Sequence, residues 1–237
     1  MMPAIFLVVA VLYGAVGHGG ASGYLAVMAL AGFAPDAMKP TALLLNLIVA
    51  LIGTVAFARE GHFSWRLFWP FAVVAAPFAY LGGGWKLDAT TFHWLVAASL
   101  AFAAARLFLP PLQQNELRPR PVWAVVVAGA AIGFVSGLIG VGGGIFLTPL
   151  ILFCRWADTK TAAAVSAPFI FVNSAAGLLG HAGSFDHLPA SWPWLAAAAA
   201  IGGLLGSRWG SHVARPAHLR PALALVLLVA SVKLVLT

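Results

Sequence analysis

The sequence predicts an all-α polytopic membrane protein built from two inverted repeats, each a re-entrant helix hairpin followed by three transmembrane helices. Composition, segment length and an internal repeat carry this prediction. Of the 237 residues, 62% are hydrophobic and 8% are charged, and the mean hydropathy is +0.98. Because a soluble domain carries about 25% charged residues, this composition excludes an ordinary water-soluble fold.

Apolar segments long enough to cross a membrane recur along the chain. A crossing needs about 20 apolar residues. Six segments have that length, and they span 41–58, 66–84, 91–109, 161–181, 190–209 and 217–236. Two further segments, 3–33 and 121–156, are too long for one crossing and are interrupted by glycines. We therefore predict a re-entrant hairpin over 3–33 and a broken helix over 121–156.

The two halves of the chain share landmarks at a nearly constant spacing. Gly140 lies 123 residues after Gly17, and Lys160 lies 121 residues after Lys39. Such a spacing indicates two homologous halves, and interrupted helices at matching positions point to a transporter binding site. The predicted units are a first repeat, a polar linker and a second repeat, at residues 1–109, 110–120 and 121–237.

The positive charges distinguish full crossings from re-entrant hairpins. If all eight segments crossed fully, the 13 Lys and Arg residues would divide almost evenly between the two faces. If segments 3–33 and 121–156 enter and leave on the same side, only Lys39, Lys86 and Lys233 lie on one face and the rest lie on the other. Cytoplasmic loops are rich in Lys and Arg, so the re-entrant arrangement is favoured. It predicts a multi-pass protein of the inner (plasma) membrane with both termini outside the cytoplasm.

The two glycine-rich breaks are the candidate substrate site. A break leaves backbone N–H groups unpaired at the start of the second half-helix, and with the positive end of the helix dipole they attract an anion. Glycines also let a ligand approach the backbone closely. The substrate-binding residues predicted in the breaks are Gly17, His18, Gly19, Gly20, Ser22, Gly140, Gly142, Gly143 and Gly144. Tight helix packing is the alternative explanation for these glycines.

Polar residues inside the apolar segments extend the predicted site. These further candidates are Asn46, Thr148, Ser166, Asn173 and Ser174, for which hydrogen bonding between helices is the alternative role. Ser22 is expected to cap its helix or to bind the ligand. Thr148 would be the N-cap of the second half-helix if that helix begins later than Gly144.

His18 is the only titratable residue in either break, and Val141 takes its place in the second half. A histidine at membrane depth is a candidate for carrying a proton, so proton coupling through His18 is a hypothesis, with a purely structural histidine as the alternative. Lys39 and Lys160 begin matching segments, where lysines commonly extend to the membrane interface. We expect that role for both.

Other chemistries have little support in the sequence. A single cysteine, Cys154, excludes a disulfide framework within the chain and a CxxC metal site. No metal site and no cofactor are predicted. Because the Lys and Arg residues are scattered between apolar runs, we expect no nucleic-acid partner. The expected partners are a small anion, in a coupled transporter also protons, and the membrane lipids.

At the glycine breaks the sequence resembles the TauE/SafE family of sulfite and organosulfonate exporters. The resemblance is carried by residues 16–23 (VGHGGASG), 140–149 (GVGGGIFLTP), 164–167 (AVSA) and 173–177 (NSAAG). The first of these departs from the commoner glycine-rich form by including His18. The resemblance covers nearly the whole chain and implies transport of sulfite, sulfoacetate or a similar small sulfonate. A homodimer is a further expectation from this resemblance.

Two other functions compete with a secondary transporter that alternates access around a midplane site. A passive anion channel would use the same N–H groups, although repeat symmetry favours a transporter. An intramembrane serine protease is the second, since residues 20–23 match a GxSG pattern with Ser22 as nucleophile and His181 as the available base. That pattern is common by chance in a chain with 25 glycines, and we predict a transporter and not an enzyme.

Overall fold

The protein is an α-helical bundle in which two long apolar segments are each broken into two helices. A computed structural model describes residues 2–108, 117–181, 184–212 and 219–236. The helices are α1 Met2–Gly14, α2 Ala21–Leu30, α3 Pro35–Arg59, α4 Trp65–Gly84, α5 Ala89–Phe108, α6 Val122–Ile139, α7 Gly144–Phe153, α8 Thr159–Gly180, α9 Trp192–His212 and α10 Leu219–Leu236, with a 3-10 turn at Ser184–His187. No strand occurs in these ranges, which confirms the all-α prediction.

Among the residues that the structure describes, five helices are long and apolar enough to cross a membrane: α3, α4, α5, α6 and α8. The observed helices match the predicted segments to within a few residues, except that α3 begins at Pro35 and so extends ahead of 41–58. At a rise of 1.5 Å per residue, α2 and α7 are each about 15 Å long, half of the hydrocarbon core. Most of the predicted linker 110–120 lies outside the described residues.

Each broken segment folds back on itself. In the first, the rings of Phe6 on α1 and Tyr24 on α2 stack with centroids 5.2 Å apart. In the second, the Arg118 backbone N–H, just before α6, donates to the Arg155 carbonyl just after α7 at 2.8 Å. The start of α6 and the end of α7 therefore lie together, as a hairpin requires. The position of the hairpins in a bilayer, and the inversion of the second repeat, stay predictions.

The hairpins pack against the opposite half of the chain. Helix α1 runs alongside α9, and α6 runs alongside α4, with glycines so close to the partner backbone that a side chain would collide with a carbonyl. Small residues permit such close approach between membrane helices. The pairs in contact are Val11 and Gly206, Ala15 and Gly210, Ala75 and Gly133, and Ala79 and Gly137.

Lysine ammonium groups donate hydrogen bonds to the C-terminal carbonyls of two helices. Lys39 Nζ donates to the Gly83 carbonyl at 2.8 Å, at the end of α4, and Lys233 Nζ donates to the Leu30 carbonyl at 2.8 Å, at the end of α2. A cation is favourable at the negative end of a helix dipole. The interface role expected for Lys39 is wrong, because this side chain is only 4% exposed and turns into the bundle. Lys160 is exposed.

Candidate anion site at the two helix breaks

The last glycine of each break has the same backbone conformation. Gly20 precedes α2 with φ 94°, and Gly143 precedes α7 with φ 83°. Both values lie in the left-handed region, which glycine adopts without steric cost. Each glycine is followed by a helix of ten residues. The spacing of 123 residues seen in the sequence therefore holds for the helix starts.

The helices before the breaks also end alike. The His18 N–H donates to the Tyr13 carbonyl at 2.9 Å, and the Val141 N–H donates to the Ser136 carbonyl at 3.2 Å. This bond over five residues, with a left-handed glycine inside the turn, is the usual C-terminal motif of a helix. His18 and Val141 thus occupy the same backbone position in the two halves.

Asn46 on α3 joins the two breaks. Its Oδ1 accepts a hydrogen bond from the Ala21 N–H at 3.0 Å, which satisfies one of the unpaired donors at the start of α2. Its Nδ2 donates to the Val141 carbonyl at 3.2 Å and to Ser174 Oγ at 3.4 Å. The side chain is fully buried. One carboxamide therefore holds the first break against the second.

Two more side chains lie between the breaks. Ile170 on α8 contacts both of them, since a Cβ at Gly19 or at Gly142 would lie 3.0 Å from its Cγ2. His18 reaches across to the second break, where a Cβ at Gly144 would lie 3.5 Å from its Cδ2. His18 Nδ1 is 2.9 Å from the Val16 carbonyl. The glycines are buried, whereas His18 is half-buried.

Ser22 is bonded within its own hairpin. Its hydroxyl donates to Tyr13 Oη at 3.0 Å, and the side chain is 1% exposed. The expected capping role is wrong, because Gly20 and not Ser22 is the N-cap of α2. With its proton committed to Tyr13, Ser22 offers a ligand only an acceptor. Its hydroxyl also faces a tyrosine rather than the histidine base that a serine nucleophile needs.

Thr148 and Ser166 form a buried pair away from the helix start. Their hydroxyl oxygens are 2.6 Å apart, joining α7 to α8. Helix α7 begins at Gly144, so Thr148 lies in its second turn and cannot be its N-cap. The N-cap role considered for Thr148 is therefore wrong. This contact is one between helices.

Asn173 and Ser174 lie on different sides of the second break. Ser174 faces Asn46, as described above. Asn173 faces α6, where its Nδ2 donates to Ser136 Oγ at 3.4 Å, and it also lies against Gly143. The structure thus gathers Asn46, Ser174 and the two breaks into one cluster, with Asn173 beside it. Ligand roles for these residues stay predictions.

Tyr24 is a residue of this site that the sequence interpretation missed. Its hydroxyl is buried with no hydrogen-bond partner among the described residues. A Cβ at Gly20 would lie 2.9 Å from this hydroxyl oxygen, so the group sits over the first turn of its own helix. Helical side chains point toward the N-terminus and cover the preceding turn. The position of this tyrosine four residues after Gly20 is the sequence feature that could have predicted it.

The one buried side-chain charge among the described residues is positive, and it lies at the end of α4. In the described part of the chain, Lys39 is the only buried residue with a charged side chain, and no carboxylate is buried. The Lys39 backbone lies beside the second break, since a Cβ at Gly140 would be 3.1 Å from the Lys39 carbonyl oxygen. The same ranges contain no group of three His, Cys, Asp or Glu residues that could hold a metal ion.

Comparison with known proteins identifies relatives over almost the full chain. A protein named "Probable membrane transporter protein y4hK" from Sinorhizobium fredii is 42% identical over 234 residues, covering 97% of this chain and 95% of the relative. A second, "Probable membrane transporter protein YjnA" from Bacillus subtilis, is 28% identical over 254 residues, covering 97% and 96%. No solved structure matches the chain.

A family model described as "Sulfite exporter TauE/SafE" matches residues 2–234. This match covers both glycine breaks and the helices that pack on them. Together with the relative of 42% identity, it confirms the resemblance seen at the breaks. The chain is therefore a multi-pass membrane transporter that belongs to the TauE/SafE family of sulfite exporters.

Proposed function

We propose that this transporter carries a small sulfur-containing anion, such as sulfite, sulfoacetate or a similar sulfonate, bound between the two helix breaks. The observation that carries the proposal is that one buried carboxamide, Asn46, joins the start of α2 at the Ala21 N–H to the Val141 carbonyl of the second break, three residues before α7. Helix starts present N–H donors and a positive dipole end to a ligand. Two of them at one place favour a compact oxyanion.

Electrostatics support an anion over a cation. A cation at membrane depth is commonly paired with a carboxylate, and no carboxylate is buried among the described residues. The one buried charge is the ammonium of Lys39, whose backbone adjoins Gly140. The substrate class beyond "anion" rests on the family, whose printed description is that of sulfite exporters.

Alternating access is the mechanism that the contacts favour. Asn46 belongs to the first half, whereas Val141 and Ser174 belong to the second. Movement of one half against the other would break these bonds and open a path to the breaks. The buried glycines correspond to a closed state, in which the Asn46 oxygen occupies the Ala21 N–H. When an anion binds, it would replace that oxygen.

The orientation and the coupling belong to the same proposal. In the predicted re-entrant topology most Lys and Arg residues lie on one face, which supports a cytoplasmic location for that face, with both termini outside and export across the inner membrane as the proposed direction. His18, half-buried and in contact with the second break, is the candidate for coupling transport to protons.

Flux into vesicles tests the proposal. Purified protein is reconstituted into liposomes, and uptake of labelled sulfite and sulfoacetate is measured against chloride, phosphate and a cation. A transporter shows saturable uptake that is accelerated by the same anion inside the vesicle, whereas a channel shows no such acceleration. Uptake that does not differ from that of empty liposomes for every sulfur anion would refute the proposal.

A pair of glycine variants locates the site. In Gly19→Ala the new methyl group would collide with Asn46 Oδ1 and lie 3.0 Å from Ile170 Cγ2, whereas in Gly53→Ala it would meet only Ala167 at an ordinary 3.5 Å. We expect Gly19→Ala to lose at least ten-fold in uptake and Gly53→Ala to keep it. Equal uptake by both variants would show that transport does not depend on the glycine breaks.

A further inference from the structure

The side-chain oxygen of Asn173 is an unsatisfied acceptor at the second break. Asn173 is 1% exposed, and its Oδ1 has no hydrogen-bond donor among the residues that the structure describes. The carboxamide lies against the N-cap of α7, since a Cβ at Gly143 would be 3.0 Å from Asn173 Nδ2. Buried polar atoms in native proteins nearly always have a partner. This atom therefore needs one from outside the described contacts.

The orientation of the carboxamide follows from its neighbour. Ser136 Oγ donates its only proton to the Gly133 carbonyl at 3.0 Å, so toward Asn173 it can only accept. The nitrogen of Asn173 must then face Ser136, and it donates to that oxygen at 3.4 Å. A flipped amide would place two acceptors opposite each other. The unsatisfied atom is thus the carbonyl oxygen, which accepts and cannot donate.

An oxyanion that carries only acceptors cannot satisfy this atom. The start of α7 supplies donors to an anion, whereas the Asn173 carboxamide, whose nitrogen lies against Gly143, has an oxygen that requires a donor. We propose that Asn173 is a specificity-determining residue that selects anions bearing a hydrogen-bond donor: hydrogen sulfite, or a sulfonate with a hydroxyl group, over a sulfonate with acceptors alone. This inference rests on the anion site proposed above.

Two stable sulfonates of nearly equal size provide the test. 2-Hydroxyethanesulfonate has a terminal hydroxyl where 1-propanesulfonate has a methyl group. Their dissociation constants are measured on the full chain in detergent by calorimetric titration, and checked by the rise of the melting temperature, which follows the saturation of the site. We expect the hydroxyl compound to bind about ten-fold more tightly, the effect of one hydrogen bond to a buried acceptor.

Asn173→Leu assigns the preference to this residue. Leucine has a similar volume and no acceptor, so the variant is expected to bind both sulfonates with equal affinity. The ratio in the unaltered protein tests the inference even if the variant does not fold. A second variant, Gly53→Ala, leaves both Asn173 and Ser136 in place because its methyl group would meet only Ala167, and it is expected to retain the preference for the hydroxyl compound.

The outcomes separate this inference from the proposed function. If both sulfonates bind with equal affinity to the unaltered protein, the selection by Asn173 is overturned while the anion site stands. A preference that persists in Asn173→Leu also overturns it, because another group then recognises the hydroxyl. If neither sulfonate nor sulfite binds at all, the anion site itself fails.

Discussion

Asn46 Oδ1 lies 3.0 Å from the backbone nitrogen of Ala21 and accepts its hydrogen bond, although the two residues are separated by the whole of α2 and the start of α3. Through its nitrogen the same side chain donates to the Val141 carbonyl in the second half of the chain. The helix start at which we propose that an anion binds is therefore occupied by a neutral amide in this structure. In the proposed mechanism, release of that amide would connect substrate binding to separation of the two halves.

Replacing Asn46 by leucine should destabilise the protein. The substitution leaves the Ala21 N–H and the Val141 carbonyl buried without partners, and each such group costs about 1–3 kcal/mol. We expect a loss of about 2–6 kcal/mol in the free energy of unfolding for the two groups together, measured as a lower melting temperature in detergent. The matched control is Thr54→Val on the same helix, whose hydroxyl donates only to the Ala50 carbonyl of its own helix. An Asn46→Leu protein as stable as this control would show that the bridge contributes nothing.

Alanine substitutions at Gly142 and Gly32 distinguish the cost of backbone strain from the effect of crowding at the second break. Their φ angles are 75° and 76°, so alanine pays a similar backbone cost of about 1–2 kcal/mol at either position. A Cβ at Gly142 would lie 2.5 Å from Asn46 Nδ2 and 2.8 Å from Ser174 Oγ, whereas at Gly32 nothing lies within 4 Å. We expect Gly142→Ala to abolish anion-induced thermal stabilisation and Gly32→Ala to retain it. If both variants respond to the anion alike, crowding at the second break does not limit binding.

Tyr24→Phe should have opposite effects on stability and on binding. Removing a buried hydroxyl that has no partner among the described residues eliminates a desolvation cost of about 1–3 kcal/mol, so the ligand-free melting temperature is expected to stay equal or to rise. Affinity for the anion should fall about ten-fold if this hydroxyl donates to it. Tyr13→Phe is the control, because that ring hydroxyl accepts from Ser22 and its loss should lower stability. Unchanged affinity in Tyr24→Phe would exclude the hydroxyl as a ligand.

The sequence was sufficient for the helices and their breaks but not for the contacts between them. The lengths of the apolar segments predicted the crossing helices, and the glycines predicted where the second half-helices begin. Both are local features of the sequence. The partner of Lys39 is a carbonyl 44 residues further along the chain, and Val141 lies 95 residues from Asn46. No local pattern encodes such pairings. Ser22 shows the same limit, since a serine near a helix start is a good N-cap by propensity, yet the tertiary contact with Tyr13 determines its role.

His18→Val tests proton coupling by giving the first break the residue that Val141 provides in the second. His18 lies against Gly144 at the start of α7, where a proton on the ring and a bound anion would stabilise each other. Because a histidine loses its proton as the pH rises, anion flux into vesicles should decline with rising pH in the unaltered protein, and should be independent of pH in His18→Val. His62→Gln, in the turn after α3, is expected to keep the original profile. A His18→Val protein that also keeps it would assign the coupling to another group.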